Sequence, residues 1–393
     1  MESATGPQLL SASSHWNEIR STKDAATETE WRLRAVAAGV AQHDPAADAA
    51  LALIEGRESS AFTRFDGDLR NVGGLPDYAH NPTPVAPTTL EGYATCPHAY
   101  LVKRLLRVNP VEQPEELITI SPLDSGNLVH EAFDTFFRQL TQVPDFGEPW
   151  TAEHKVELRA IGEEIGDRFV AAGLTGHPKL WKRDLAAILL DLDVMLDDDS
   201  AERARRDARV IRTELPFGQA GAEAVRVVLA DGVVHMAGFI DKIDEERDGR
   251  LVVQDIKTGR AASFSEIPND VVVAGTKLQL PAYALAARQA LAVDDVEALY
   301  WFVRRDAGTR IPVSLDAETE QRYVSTIGTL VESIAAGLFP AKPPENPDHV
   351  FVQCAYCNPD GIGHGDARVR YEAKRADPAL APLVSLIDPG VTA

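Results

Sequence analysis

Gly238-Phe-Ile-Asp241-Lys-Ile-Asp244, followed after a turn by Leu251-Val-Val-Gln-Asp255-Ile-Lys257-Thr-Gly259, reads as a β-hairpin that carries charge where a strand tolerates it least. Asp248-Gly249 supplies the turn signal. Side chains alternate across a strand, so Val253, Asp255 and Lys257 share one face, with carboxylate and ammonium about 7 Å apart. Ile256 points the other way, towards apolar packing. Leu251, Val252, Val253 and Ile256 mark a strand buried on much of both faces, where ionised groups are costly unless they bind each other or a cation. Asp241 and Asp255 offer the hard oxygens that Mg²⁺ takes, and Lys257 places positive charge beside them. Such a set is what phosphodiester hydrolysis requires. An aspartate followed by Asp-x-Lys also describes an ordinary ion pair on a strand, and spacing alone leaves both readings open.

Outward from the hairpin, segments 210–217, 224–229 and 233–243 read as strands, the last running without a break into Asp241. Helices are expected from near Thr89, from an N-cap at Asp124 or Ser125 to 140, over 152–172 and over 178–208. The charged end of that last helix reads as exposed. Downstream come a helix at 277–292, a strand at 297–304 and a long helix at 317–336. Strands flanked by helices in this order imply an α/β fold. The expected organisation is a helical lead-in over 1–70 and a Gly- and Pro-rich linker over 71–89. A compact domain follows over 90–370, with a helical insertion at about 145–208, and then a tail over 371–393.

Four motifs stand in order: Gly126-Asn-Leu-Val-His130-Glu131, Gly238-x-x-Asp241, Asp255-x-Lys257-Thr-Gly and Gln279-x-x-x-Tyr283. From about Phe62 onward the chain resembles the RecB-family nuclease domain of the PD-(D/E)XK superfamily, found at the C-terminus of RecB and AddB subunits. The resemblance implies a restriction-endonuclease-like core, a mixed central sheet flanked by helices, with a helical N-terminal extension and a helical insertion. It implies an Mg²⁺- or Mn²⁺-dependent DNA nuclease, expected to be an exonuclease of double-strand-break repair and recombination. By the same resemblance His130, Asp241, Asp255 and the Ile256 carbonyl bind the metal and Lys257 activates water. Gln279 and Tyr283, four apart on one helix face, then position a phosphate or the Lys257 strand. Read by pattern alone, His130 lies at the edge of the apolar stripe of Val129, Phe133, Phe136, Phe137 and Leu140, as a packed histidine or as a ligand. Glu131 and Asp244 are expected in supporting or surface positions.

Cys96, in Tyr93-Ala-Thr-Cys96-Pro97, resembles the early cysteine of AddB-type nucleases, in which one early and three late cysteines hold a [4Fe–4S] cluster. Cys354 and Cys357 match two of the late ones, but Gly363 stands where the last belongs, with His364 beside it. Three readings remain: a cluster completed by His364 or an outside ligand, a Zn²⁺ site of three cysteines and His364, and a site without metal.

Lys and Arg number 39 against 60 Asp and Glu, a net charge of −21, which excludes nonspecific DNA binding over the whole surface. DNA contact must be local, with Lys103, Arg104 and Arg107, Arg304 and Arg305, or Lys182 and Arg183 as basic candidates. No run is long and apolar enough for a membrane span and no secretory pattern opens the chain, so a cytoplasmic protein is expected. No GxxxxGK[ST] loop occurs, which leaves open a stand-alone nuclease, a truncated descendant of a helicase-nuclease, and a subunit served by a helicase in trans. The rivals are a catalytically inactive DNA-binding scaffold and an unrelated hydrolase with a two-carboxylate metal site.

Overall fold

The hairpin forms as its alternation requires. In this computed structural model, which describes residues 25, 27–40, 45–108, 118–304, 306–343 and 365–388, β4 (Gly238–Glu246) pairs antiparallel with β5 (Leu251–Lys257), and Lys242 lies opposite Gln254. Gly249, at φ 91°, turns the chain between them in a conformation other residues avoid. β1 (Ala208–Phe217) adds antiparallel to β4, β6 (Val296–Phe302) parallel to β5, and β7 (Arg310–Ser314) antiparallel to β6. The result is a five-stranded mixed sheet in the order β1-β4-β5-β6-β7.

Two strand expectations need correction. The single strand expected over 233–243 breaks at Ala237. Its first part, β3 (Val233–Met236), pairs instead with β2 (Val225–Val228) in a separate two-stranded sheet. Gly238 permits the change of partner, because a Cβ there would lie 2.8 Å from the Phe217 ring. β7 escaped notice because Pro312 interrupts its pattern; Pro is tolerated on an edge strand, which β7 is.

The described helices are α1 (Glu28–Ala37), α2 (Pro45–Glu58), α3 (Pro87–Thr95), α4 (Pro97–Tyr100), α5 (Pro122–Gln139), α6 (Ala152–Ala171), α7 (Pro178–Arg206), α8 (Gln279–Leu291), α9 (Ala317–Ala335), α10 (Gly365–Lys374) and α11 (Ala381–Ile387). α5 starts earlier than Asp124: Ser121 caps it by accepting from Asp124 N–H, and Pro122 takes the first helical position. Residues 71–89 run against β3, where Val85 N–H donates to His235 and Ala237 N–H to Val85.

Period-two alternation divides the core. Leu251 and Val253 of β5, with Ala298, Tyr300 and Phe302 of β6, pack beneath α3, α8, α9 and α11. Val252, Ile256, Leu299 and Trp301 pack on the opposite face against α5, α6 and α7. The charged end of α7 is not wholly exposed as expected: Asp199 and Arg203 are buried, and so is Asp244. They meet Lys242 on the α7 face of the sheet, with Lys242 Nζ 2.8 Å from Asp199 Oδ1 and 2.5 Å from Asp244 Oδ2. Glu131 does lie at the surface, in an ion pair with Arg168. No helix among the described residues is long and apolar enough to cross a membrane.

Candidate active site

The start of β4 and the end of β5 come together between α5 and α8, and the predicted residues gather there. A register shift between Val210 and Arg212 in β1 sets the geometry. Beyond it Thr213 pairs with Lys242 and Leu215 with Ile240, so Glu214 stands across from Asp241. Glu214 has φ 43°, a left-handed conformation that costs a non-glycine residue roughly 1–3 kcal/mol.

From α5, His130 reaches the same point. One ligand atom each from His130, Glu214 and Asp241 lies within 4.8 Å of the others. His130 Nδ1 is 3.7 Å from Asp241 Oδ2 and 3.9 Å from Glu214 Oε1, beyond hydrogen bonding. Asp241 Oδ2 accepts the Ile256 N–H at 2.7 Å, which ties β4 to β5 where the sheet pairing ends. For Ile256, expected to contribute its carbonyl, the contact seen is thus through its amide.

Asp255 is only 2% exposed and stands beside that trio, paired with Lys257. Lys257 Nζ lies 2.5 Å from Asp255 Oδ2 and donates to Gln279 Oε1 at 2.9 Å. Beyond this ion pair, Asp255 Oδ2 is buried with no hydrogen-bond donor among the described residues. Gln279 Nε2 donates in turn to Tyr283 Oη at 3.1 Å. The two residues, one helical turn apart, therefore brace the lysine from α8.

Two contributors were missed in the sequence. Glu214 could have been found only by pairing β1 with β4 and allowing for the bulge. Glu91 on α3 accepts the Leu278 N–H at 2.6 Å and so fixes the start of α8 just ahead of Gln279. Burial pushes its carboxyl up in pKa, against the pull of that amide and of Lys257 and Lys277. Lys277 itself stands 4.1 Å from the Phe264 ring centroid, and burial lowers its pKa.

Electrostatics show what the cluster lacks. Burial should depress His130, yet Asp241, Glu214 and Asp255 outweigh it and push the imidazole up to about 9. Burial raises Asp241, reinforced by Asp255 and opposed by His130 and Lys257. Burial would lower Lys257, but Asp255 and Asp241 hold its proton more tightly and the net shift is upward. Three carboxylates thus gather beside Lys257, with Lys277 offset chiefly by Glu91, and the protein gathers protons to compensate. Carboxylate oxygens with one imidazole, carrying surplus negative charge and a buried oxygen with no hydrogen-bond donor among the described residues, suit a divalent cation such as Mg²⁺ or Mn²⁺.

Cys96 is buried between α3 and α4, and the turn it begins is held to Pro340 through His98 N–H. Cys354, Cys357 and His364 lie outside the described residues. Of the basic candidates, Arg304 is committed internally to Asp191 and Ser125, and Arg183 pairs with its neighbour Asp184. Arg305 lies outside the described residues.

No curated protein matches the chain. The solved structure described as "Crystal structure of SSO0001" is 16% identical, with 53% of this chain and 86% of that one covered and a TM-score of 0.23, too loose a likeness to argue from. The family model described as the PD-(D/E)XK nuclease superfamily matches residues 84–361. That match spans well over half of the sequence and takes in every residue of the acidic cluster, so the chain belongs to the PD-(D/E)XK nuclease superfamily, a family of metal-dependent nucleases.

Proposed function

We propose that the protein is an Mg²⁺- or Mn²⁺-dependent deoxyribonuclease that hydrolyses phosphodiester bonds at His130, Glu214, Asp241, Asp255 and Lys257. The observation that carries this reading is the excess of negative charge: half-buried Glu214 and buried Asp241 and Asp255 converge beside Lys257, while Lys277, the other lysine in range among the described residues, is matched chiefly by Glu91. The metal would be held by His130, Asp241 and Asp255, with Glu214 added to the expected set and the Ile256 carbonyl as the family resemblance implies. When bound it supplies Lewis acidity and a nucleophilic water at neutral pH.

The remaining work falls to the chain. Lys257, braced by Gln279, is a fixed ammonium positioned to offset charge that develops on a phosphate and to orient water beside it. Tyr283 holds Gln279 in turn, and Glu91 fixes the start of the helix that carries both. Asp241, tied to the Ile256 amide, keeps β4 and β5 in register at the reacting end. Removal of any of these links lets the lysine or the carboxylates drift, and small displacements cost catalysis heavily.

The order of the four motifs, resembling RecB and AddB subunits, supports an exonuclease acting on DNA ends in double-strand-break repair and recombination, with a helicase supplied by a partner. End-labelled single- and double-stranded DNA incubated with Mg²⁺, Mn²⁺ or EDTA tests the reading and reports polarity. Metal-dependent release that vanishes in Asp255→Ala and Lys257→Ala is expected. Equal release by wild type and variants would assign the activity to a contaminant and leave the chain an inactive scaffold. Iron and zinc analysis with absorbance near about 400 nm, on anaerobically purified protein, distinguishes a cluster, a zinc ion and an unmetallated site at Cys96, Cys354, Cys357 and His364.

A further inference from the structure

A cavity of about 350 Å³ lies where the end of α2, the 62–69 loop, α4 and α10 meet, and it shares no lining residue with the acidic cluster. Its lining carries positive charge in a chain whose net charge is −21. Arg57 comes from α2, Arg64 from the loop and Arg370 from α10. None of the three makes an ion pair among the described residues; Arg64 is steadied by the Phe65 ring, 4.6 Å from its guanidinium carbon. The acidic residue of the lining, Asp66, is already neutralised by Lys374 at 3.1 Å. Lys374 Nζ also donates to the carbonyls of Gly56, Ser59 and Ala61, each at 2.8 Å, so that lysine serves as a tie between α2 and α10. Three guanidiniums therefore remain uncompensated around one space.

We infer that this cavity binds a nucleotide through its phosphate. Guanidinium groups are matched in shape and charge to phosphate oxygens, which they grip with paired hydrogen bonds. Phe62, Phe65, Leu69 and Leu101 add apolar surface to the lining, against which a base can pack beside the phosphate. The volume falls at the lower end of the roughly 300–1,000 Å³ of small-molecule sites, enough for one nucleotide and too little for a duplex. The nucleotide is either free in solution or the phosphorylated end of a single strand; the recognising chemistry is the same. The site does not depend on the catalytic reading, since no residue of the acidic cluster takes part.

Titration calorimetry of the full chain in EDTA tests this, with 5′-dAMP, inorganic phosphate and a short single strand bearing either a 5′-phosphate or a 5′-hydroxyl. Saturable binding of 5′-dAMP is expected, weakened by about tenfold or more in the triple variant Arg57→Ala, Arg64→Ala, Arg370→Ala and unchanged in Asp255→Ala. Among the described residues the three arginines make no ion pair, and only Arg64 has a ring contact, so the variant should melt within a few degrees of the wild type. If the phosphorylated strand binds more tightly than 5′-dAMP, a strand end is the ligand; if it binds no more tightly, the free nucleotide is. Absence of saturable binding, equal binding by the triple variant, or inorganic phosphate binding as tightly as 5′-dAMP would each overturn the proposal.

Discussion

Two clusters of buried charge sit on the same two strands, and they are built to opposite ends. On the α7 face, Lys242 and Arg203 meet Asp199 and Asp244, two cations with two anions. Trp150 Nε1 and Gln254 Nε2 add hydrogen bonds to the carboxylates at 2.7 and 2.6 Å. Asp199, which burial would raise, is held below the usual carboxylate range by Lys242 and Arg203. Asp244 is raised to about 6 by burial, opposed by Lys242 and reinforced by Asp199, so what closes this set is the equal number of cations and anions. At the other cluster Glu214, Asp241 and Asp255 face Lys257, and the shortfall of positive charge shows in His130, which burial would depress but the three carboxylates push up to about 9. Buried charge is therefore not by itself a sign of function. The sign is buried charge that its neighbours fail to cancel.

The contrast is broken most directly by deleting one member from each cluster. Asp255→Ala or Lys257→Ala should reduce metal-dependent cleavage by about a thousandfold or more, on the order of 4 kcal/mol of transition-state stabilisation. Asp255→Ala should raise the melting temperature of metal-free protein, because it removes surplus charge, whereas Lys257→Ala leaves Asp255 buried without its partner and should lower it. A large loss of stability would show that Asp255 is as structural as Asp244. Lys242→Met should do the reverse. It leaves Asp199 and Asp244 buried without their shared cation, at a cost of about 3–5 kcal/mol. Thermal denaturation should register a drop of roughly 5–10 °C. The molecules that stay folded should cleave at the wild-type rate, and selective loss of rate would place Lys242 in the catalytic machinery.

How much of this was legible beforehand follows the range of the interactions. Asp255 and Lys257 could be read because strand alternation and apolar flanks are local to seven residues. The layering was legible for the same reason, since Val252 and Val253 must face opposite cores. Glu214 was hidden because its position depends on the register shift between Val210 and Arg212, a feature no pattern of residue types announces. The closed cluster was hidden by distance along the chain. Asp199 and Arg203 lie in a run of charge that reads as solvated, and only the packing of α7 over β4 brings them to Lys242. Pro312 disguised β7, and Gly238, taken as a motif residue, proved also to be where the chain leaves one sheet for another.

Proton uptake sharpens the comparison further. His130 is raised to about 9 from its ordinary value of 6.5, so its folded form favours protonation. That contribution is present below pH 6.5 and is lost as pH rises towards 9. Asp241, raised from 3.8 to about 7, acts in the same sense but over a lower window, so His130 carries most of the loss above pH 6.5. Metal-free protein should lose on the order of 1–3 kcal/mol across this interval, less whatever solvent screening removes. Bound Mn²⁺ should cancel the loss, since a divalent ion replaces the protons; its affinity should rise with pH as competition fades. Melting curves with EDTA and with Mn²⁺, taken at pH 6.5 and 9, check both statements. Parallel pH dependence in the two conditions would mean that the ion binds elsewhere.

The smallest expected effect concerns Glu214, whose side chain is aimed by backbone strain. Glu214→Gln keeps shape and conformation but removes the charge, and should weaken Mn²⁺ binding by about tenfold while leaving the melting temperature of metal-free protein unchanged or slightly raised. Glu214→Gly separates strain from ligation. Glycine adopts φ 43° without penalty, so metal-free protein should gain about 1 kcal/mol in stability even as the ion is lost. A strained acidic residue that stabilises the protein when removed, and costs it the metal, would be one retained for binding. Were both variants to bind Mn²⁺ like the wild type, Glu214 would belong with the closed cluster's kind of charge, and His130, Asp241 and Asp255 would have to hold the ion without it.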